Sequence, residues 1–298
     1  MLETLLSSTI LIILILLIRG IFCKRLSSKY LYSLWIIPAV RLLILPIIEL
    51  PEGWSLISLL IKAPRKFNLF GLYTNEAEGL KVIVDIGMFF KSWVAILVWF
   101  VGMFTVFLIH IIPYIRTKAK LKRNRSFIER YQNDRLNIYS SDLVNSPVLY
   151  GFDIYIPTGM VDEKRNYALA VMHERCHFQQ WDELWNLMRV ISSCIYWFNP
   201  FVWLAVVRSR DDSEYSCDEA VIKNMDEHQK KDYCRLLIEV ATGGRFDNNS
   251  FLEAGLTRSP VFKRVELMLM EKKRMIWLKI IIFLCLLMVM ALTLNTAG

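Results

Sequence analysis

Two of the four histidines in the chain lie in one short motif that can bind a metal ion, His173-Glu174-Arg175-Cys176-His177. On a helix, side chains four residues apart share a face, so both imidazoles can bind the same ion. Glu174 stands beside them, where its carboxylate can accept a proton from a water molecule. The alternative is an exposed helix that merely carries two histidines on one face. The motif predicts a zinc site with His173 and His177 as ligands and Glu174 as the catalytic base.

A third ligand is expected further along the chain, because a catalytic zinc site uses three protein ligands and keeps one position open. Glu214 and Asp218 lie four residues apart and so share a helical face. We predict that Glu214 binds the zinc ion. Asp218 is expected to hydrogen-bond the far nitrogen of a ligand histidine and so fix its tautomer. Cys217 is a rival ligand because thiolate suits zinc, but a carboxylate leaves the water molecule more strongly activated.

Short strands are predicted upstream of the motif, at residues 137–140 and 153–157, with turn residues between them. A sheet edge beside the motif helix can hold an extended peptide by strand addition. The candidate residues for this substrate contact are Asp153, Ile154, Tyr155 and Ile156. An ordinary packed strand is an equally good interpretation of the same residues.

The composition indicates a membrane protein. Of the 298 residues, 55% are hydrophobic, and the formal net charge is +8. The mean hydropathy is +0.37, whereas a soluble domain of this length is expected to be less apolar. The same composition excludes a disordered chain, a collagen-like repeat and a small disulfide scaffold. The six cysteines are expected to be reduced thiols, since none has CxxC spacing.

Four stretches are apolar enough to be membrane spans: residues 4–18, 31–48, 92–115 and 280–294. The first lacks a basic start and a small-residue cleavage site, so we predict an uncleaved anchor rather than a signal peptide. The second carries Arg41 near its middle, which can face the interior of a helix bundle. We therefore predict a three-span region over 1–115, a peptidase domain over 116–275 and a fourth span over 276–298.

The basic residues set the predicted orientation, because they accumulate on the cytoplasmic flanks of membrane spans. Residues 19–29 and 116–125 are rich in Lys and Arg, whereas the charges in the loop 49–91 are balanced. We therefore place both termini and that loop outside the cell membrane, and the peptidase domain in the cytoplasm. The run at 116–125 has no interleaved aromatic residue and adjoins a span, so we do not expect direct nucleic-acid binding.

An uncharged stretch at 190–207 resembles a fifth span. If it crossed the membrane, His173 and Glu214 would lie on opposite sides and could not share a metal ion. Its centre is Asn199-Pro200, a pair that breaks helices. We therefore predict two helices that meet there and return the chain to the same side.

The chain resembles the BlaR/MecR-type antirepressor metallopeptidases, membrane transducers of β-lactam resistance, over roughly residues 1–295. The resemblance rests on Ser146-Pro147, Gly151, Pro157, the HERCH motif, Tyr196-Trp197-Phe198-Asn199-Pro200-Phe201-Val202-Trp203 and Glu214-Tyr215-Ser216-Cys217-Asp218-Glu219-Ala220-Val221. It implies a multi-pass α-helical membrane protein with an α+β, zincin-like (gluzincin) cytoplasmic domain. It also implies that His173, His177 and Glu214 hold Zn²⁺ and that Glu174 is the general base.

The function implied by the resemblance is signalling by proteolysis. The peptidase would cleave a cytoplasmic transcriptional repressor and so induce antibiotic-resistance genes, and self-cleavage would accompany this. The candidate place for self-cleavage is the loop at 243–255, which includes Ser250 and Phe251. The chain stops at Gly298, just past the fourth span, so no penicillin-binding sensor is expected in it. The expected partners are the repressor and the lipid bilayer, and a homodimer is left open. The alternatives are a housekeeping quality-control protease and a non-enzymatic scaffold with a structural zinc site.

Overall fold

The computed structural model describes residues 2–43, 93–131, 135–242, 260–270 and 275–292. The predicted outside loop at 49–91 lies outside the described residues, and so do Ser250 and Phe251. Within the described part the chain is mainly helical, with one four-stranded sheet.

The amino-terminal region consists of three helices, α1 (Leu2–Phe22), α2 (Ser28–Ser33) and α3 (Ile36–Leu43). Ser27 caps α2, because its side chain accepts a hydrogen bond from the Tyr30 backbone N–H at 3.4 Å. The described part of the predicted span at 31–48 is therefore two short helices rather than one continuous helix. An apolar core joins these helices to later parts of the chain through Leu11, Ile12, Leu31, Trp35, Tyr196, Val202 and Leu286.

Helix α4 (Trp93–Arg123) is long and apolar enough to cross a membrane, and among the described residues it alone meets both conditions. Large apolar side chains cover its outer surface; Trp93, for example, is 86% exposed. Such a surface is unfavourable in water and favourable against lipid. The predicted first and fourth spans coincide with shorter apolar helices, at Leu6–Phe22 and Ile276–Ala291.

The sheet follows α4 and contains β1 (Ser126–Tyr131), β2 (Leu136–Ser141), β3 (Val148–Tyr150) and β4 (Asp153–Pro157). The predicted strands at 137–140 and 153–157 are confirmed. The strand order is β1-β2-β4-β3. Strands β2 and β4 are parallel, whereas β3 and β4 form a hairpin. Gly151 makes that turn with φ +68, a conformation that favours glycine.

The motif helix covers one face of the sheet. After the short helix α5 (Thr158–Val161), α6 (Lys164–Gln179) carries both histidines of the motif. Its apolar side packs on the strands, where Ala170 and Val171 meet Ile138 and Ile154 in a buried cluster. Burial of apolar surface, which contributes about 25 cal/mol per Å², stabilises the packing of the helix on the sheet. The opposite side of the helix, which carries His173 and His177, faces away from the strands.

Five further helices complete the described chain. They are α7 (Asp182–Ile195), α8 (Pro200–Ile222), α9 (Glu227–Thr242), α10 (Pro260–Leu269) and α11 (Ile276–Leu292). The predicted break at Asn199-Pro200 is confirmed: α7 ends before it, and the Asn199 side chain caps α8 by accepting from the Phe201 N–H at 3.0 Å. Pro200 suits the first turn of a helix, because a backbone N–H at that position would have no acceptor within the helix and proline has none to satisfy.

Candidate metal centre

The two histidines of the motif converge as the helical spacing predicts. The Nε2 atoms of His173 and His177 lie 3.1 Å apart on one face of α6. Both rings are largely buried, with side-chain exposures of 10% and 13%. The apolar packing of the opposite face of α6 on the sheet fixes the direction in which they point.

Glu214 reaches the same point from α8. Its Oε2 lies 3.4 Å from His173 Nε2, and its Oε1 lies 3.6 Å from His177 Nε2. Four-coordinate zinc with bonds of about 2.0–2.2 Å separates its ligand atoms by roughly 3.3 Å. The three donors therefore fit a zinc ion in both chemistry and spacing, and His173, His177 and Glu214 form a candidate metal group. The helical break at Asn199-Pro200 makes this possible, because it returns α8 towards α6.

Asp182 orients His177. Its Oδ2 lies 2.6 Å from His177 Nδ1, so that nitrogen donates its proton to the carboxylate and leaves Nε2 free for a metal. Ser213 donates to the same oxygen at 3.1 Å. Sequence reasoning missed Asp182. The left-handed conformation of Trp181, with φ 59, turns the chain so that the first residue of α7 faces back towards the motif.

Tyr233 orients His173, and this changes the predicted role of Asp218. The Tyr233 hydroxyl lies 2.7 Å from His173 Nδ1 and donates to Asp218 Oδ1 at 2.8 Å. The Asp218 carboxylate itself is 3.6 Å from His173 Nδ1, too far for a hydrogen bond. The predicted direct contact is therefore wrong, because a tyrosine of α9 stands between the two groups. Since the hydroxyl donates to Asp218, it accepts from Nδ1–H of His173.

Arg264 of α10 pairs with two carboxylates of the site, those of Asp218 and Glu214. Its guanidinium donates to both oxygens of Asp218 at 2.7 Å and lies 3.0 Å from Glu214 Oε2. Burial alone would lower the pKa of Arg264, but the hydrogen bond and charge of Asp218 raise it above its ordinary value. Nothing in the sequence around residue 264 indicated this contact, because α10 reaches the site only through the tertiary fold.

The surrounding charges favour the ionised forms of His177 and Glu214, so a metal ion that binds His177 must displace a proton from its ring. Burial acts to lower the pKa of His177, but the hydrogen bond to Asp182 and the charges of Glu214 and Glu174 outweigh it and raise that pKa to about 9. Burial acts to raise the pKa of Glu214, but the hydrogen bond with His173 and the charges of His177 and Arg264 lower it well below its usual range. Glu214 is therefore a carboxylate at neutral pH.

A cavity of 380 Å³ opens over these groups. Glu174, only 7% exposed, lines it together with the three candidate ligands. The opposite walls are formed by residues before and within β3 and by apolar residues of α9, namely Ser146, Pro147, Val148, Leu149, Leu236, Leu237 and Val240. The cavity therefore combines a buried carboxylate, three candidate metal ligands and an apolar wall, an arrangement typical of a site for metal-assisted hydrolysis.

A family model described as BlaR1 peptidase M56 matches residues 1–268, most of the chain. The chain belongs to the BlaR1 peptidase M56 family. The resemblance stated from the sequence is therefore confirmed.

Relatives within this family are similar to the chain at modest identity. A protein named "Methicillin resistance mecR1 protein" from Staphylococcus aureus is 28% identical over 115 residues, which cover 37% of this chain and 20% of that protein. The "Regulatory protein BlaR1" of Bacillus licheniformis is 23% identical over 163 residues, covering 48% and 26%. That of Staphylococcus aureus is 23% identical over 189 residues, covering 59% and 32%. The chain thus spans less than a third of each of these relatives.

The strand predicted to bind substrate in this M56 chain does not lie at the sheet edge. Strand β4 (Asp153–Pro157) pairs with β2 on one side and with β3 on the other, so the backbone groups of Asp153, Ile154 and Tyr155 are already used. Ile154 and Ile156 are fully buried. The edge strand on the cavity side is β3, which lies next to α6. The predicted edge position of this strand is therefore wrong, because the sequence indicates where strands lie along the chain but not their order in the sheet.

The rival ligand Cys217 lies behind the site. Its Sγ is 3.4 Å from His177 Nδ1, the nitrogen that faces Asp182 and not the one that faces Glu214. A metal ion held by His173, His177 and Glu214 therefore has Cys217 on the far side of the His177 ring. Burial raises the pKa of the Cys217 thiol well above its usual value, which keeps it a neutral packing group.

Proposed function

We propose that this chain is an integral-membrane zinc endopeptidase that acts in signalling by proteolysis. The observation that carries the proposal is the convergence of His173, His177 and Glu214 within 3.1–3.6 Å, beside the buried Glu174 and in one cavity. Membership of a peptidase family supports it.

Each residue of the site has a separate role in the proposed reaction. His173, His177 and Glu214 would hold a zinc ion, which would supply Lewis acidity for the scissile carbonyl and for the attacking water. Glu174 accepts the proton of the attacking water and passes it to the leaving amine. Asp182 and Tyr233 hold the histidine rings so that their Nε2 atoms face the ion. We propose that β3 holds the extended substrate by strand addition, since its outer edge borders the cavity.

We propose four membrane spans, with the peptidase domain at 116–275 in the cytoplasm and both termini outside. The exposed apolar surface of α4 and the apolar helices α1 and α11 support this topology. The basic end of α4, with Lys120, Lys122 and Arg123, supports the cytoplasmic side for its carboxyl terminus.

We propose a cytoplasmic transcriptional repressor as the substrate, with self-cleavage at Ser250 and Phe251. The relatives named as a methicillin-resistance protein and as regulatory proteins support a regulatory substrate. The order of the chain supports self-cleavage, because residues 243–259 connect α9 to α10. Both helices contribute a side chain to the site, Tyr233 and Arg264.

The test is co-expression of the chain with the candidate repressor. The unaltered chain is expected to produce one specific fragment, and Glu174→Ala is expected to produce none while retaining its zinc. Glu163→Ala is the matched control, because Glu163 is exposed, directly precedes the same helix, and its side chain accepts a hydrogen bond from Asn166 at 2.5 Å, outside the site. Cleavage by purified Glu174→Ala would disprove the mechanism in which Glu174 is the general base. Degradation of many damaged membrane proteins, with the repressor left intact, would instead favour the quality-control alternative.

A further inference from the structure

A residue of the amino-terminal helices contacts the group that orients a metal ligand. Tyr32 lies on α2, is 5% exposed, and its hydroxyl donates a short hydrogen bond to Asp182 Oδ1. The other oxygen of Asp182 holds His177 Nδ1 at 2.6 Å. One carboxylate therefore connects α2, at the start of the predicted second span, with the second histidine of the motif.

The direction of the Tyr32 hydrogen bond is fixed by its neighbours. Arg189 Nη2 lies 3.3 Å from the Tyr32 hydroxyl oxygen and can only donate to it. The hydroxyl proton is therefore left for Asp182. The ring is held as well, because it packs against Trp185 with 5.6 Å between ring centroids. Tyr32 is thus a fixed donor rather than a mobile surface group.

The surrounding contacts tie the same helices to the helix that carries Glu214. The Ser28 N–H donates to Glu219 at 2.6 Å, where α2 begins. Arg19 and Trp35 donate to the two oxygens of the buried Asp212, at 2.7 and 2.8 Å. Both Asp212 and Glu219 belong to α8. A displacement of α1 and α2 therefore cannot occur without disturbing α8 or Asp182.

We infer that Tyr32 is a positioning residue for the metal site, which sets the orientation of Asp182 and through it the metal affinity of His177. This inference rests on the proposed function, since it concerns the same site. Groups that orient the outer nitrogen of a ligand histidine typically change metal affinity by about 10–100-fold. Tyr32 acts one group further out, so about tenfold is expected for loss of its hydroxyl.

The experiment compares Tyr32→Phe with the unaltered chain, as full-length protein in lipid nanodiscs, by zinc titration against a chromophoric chelator. We expect about tenfold weaker zinc binding, with the lost activity recovered when excess zinc is added. Tyr30→Phe is the matched control on the same helix, because the Tyr30 hydroxyl donates to the Lys279 carbonyl at 2.6 Å, away from the site. It is expected to bind zinc within about twofold of the unaltered chain.

A double-mutant cycle separates positioning from general destabilisation. With Asp182→Asn in place, Tyr32→Phe is expected to cost no further zinc affinity, because the group through which it acts is already altered. An unchanged affinity in Tyr32→Phe, or the same loss in both backgrounds, would overturn the inference. Should Tyr32→Phe not fold, Arg189→Lys, which disturbs the same hydroxyl, takes its place in the cycle. If instead His173→Ala binds zinc as tightly as the unaltered chain, the proposed metal site itself is wrong, and the inference falls with it.

Discussion

Removing the hydroxyl of Tyr233 tests the reasoning about the metal centre most directly. Tyr233 is fully buried, and its hydroxyl bridges His173 Nδ1 and Asp218 Oδ1 at 2.7 and 2.8 Å. Burial, and then the charge of Asp218, raise the pKa of Tyr233 well above its ordinary value. The hydroxyl is therefore a neutral donor at neutral pH.

The expected size of the effect follows from what Tyr233→Phe leaves behind. Asp218 keeps the two hydrogen bonds from Arg264 at 2.7 Å, so its charge remains paired. His173 Nδ1–H loses its partner, because the nearest carboxylate oxygen is 3.6 Å away. A buried donor left unsatisfied costs about 1–3 kcal/mol. We therefore expect about 10–100-fold weaker zinc binding and a loss of about 1–3 kcal/mol in the free energy of unfolding.

The assay is zinc titration of the purified full-length variant, together with its thermal unfolding and its rate of repressor cleavage. Tyr167→Phe is the control, because it removes a hydroxyl from the motif helix itself, one that donates to Glu129 at 2.6 Å outside the site. The control is expected to keep the zinc affinity of the unaltered chain. Equal zinc affinity in Tyr233→Phe and Tyr167→Phe would refute the assignment of Tyr233 as the partner of His173.

Three further outcomes are expected. Chelation of zinc should stop cleavage and lower the midpoint of thermal unfolding, because a ligand that binds only the folded state stabilises that state. Added zinc should restore both the activity and the midpoint. An unchanged midpoint would contradict a metal site in the folded protein. Arg264→Lys should lower cleavage about tenfold or more, because Lys lacks the planar guanidinium with which Arg264 contacts both oxygens of Asp218 and also Glu214. Unchanged kinetics would show that this contact is not needed. Asp212→Asn should cost about 1–3 kcal/mol in denaturant unfolding, because it removes the carboxylate charge 2.7 Å from the buried Arg19 and leaves it, among the described residues, only the carboxylate of Asp211, 3.5 Å away. An unchanged free energy of unfolding would contradict that estimate.

The residues that sequence reasoning identified are those whose relations are set by helical geometry. His173 and His177 share a face because they lie four residues apart on α6, and the structure brings their Nε2 atoms to 3.1 Å. Glu214 joins them because Asn199-Pro200 breaks the apolar stretch and reverses the chain, a local signal that the sequence contains. The strands β2 and β4 were also predictable, from alternation and flanking turns.

The groups that orient the ligands were decided by the tertiary structure alone. Asp182, Tyr233 and Arg264 come from three helices whose approach to α6 depends on how the whole chain packs, and no spacing rule relates them to the motif. The same holds for Tyr32, which reaches Asp182 from the first part of the chain. Periodicity reports which face of an element is apolar, but not which other element will cover it.

Strand order is the clearest case of this difference. The sequence determined that residues 153–157 form a strand, yet the parallel pairing of β2 with β4 places that strand inside the sheet and leaves β3 at the edge beside the cavity. Such pairing depends on hydrogen bonds between segments far apart in sequence, which local propensity does not encode. The sequence therefore determined the residue types and helical spacing of the candidate metal site, and only the tertiary structure decided which residues orient the candidate ligands and which strand forms the edge beside the cavity.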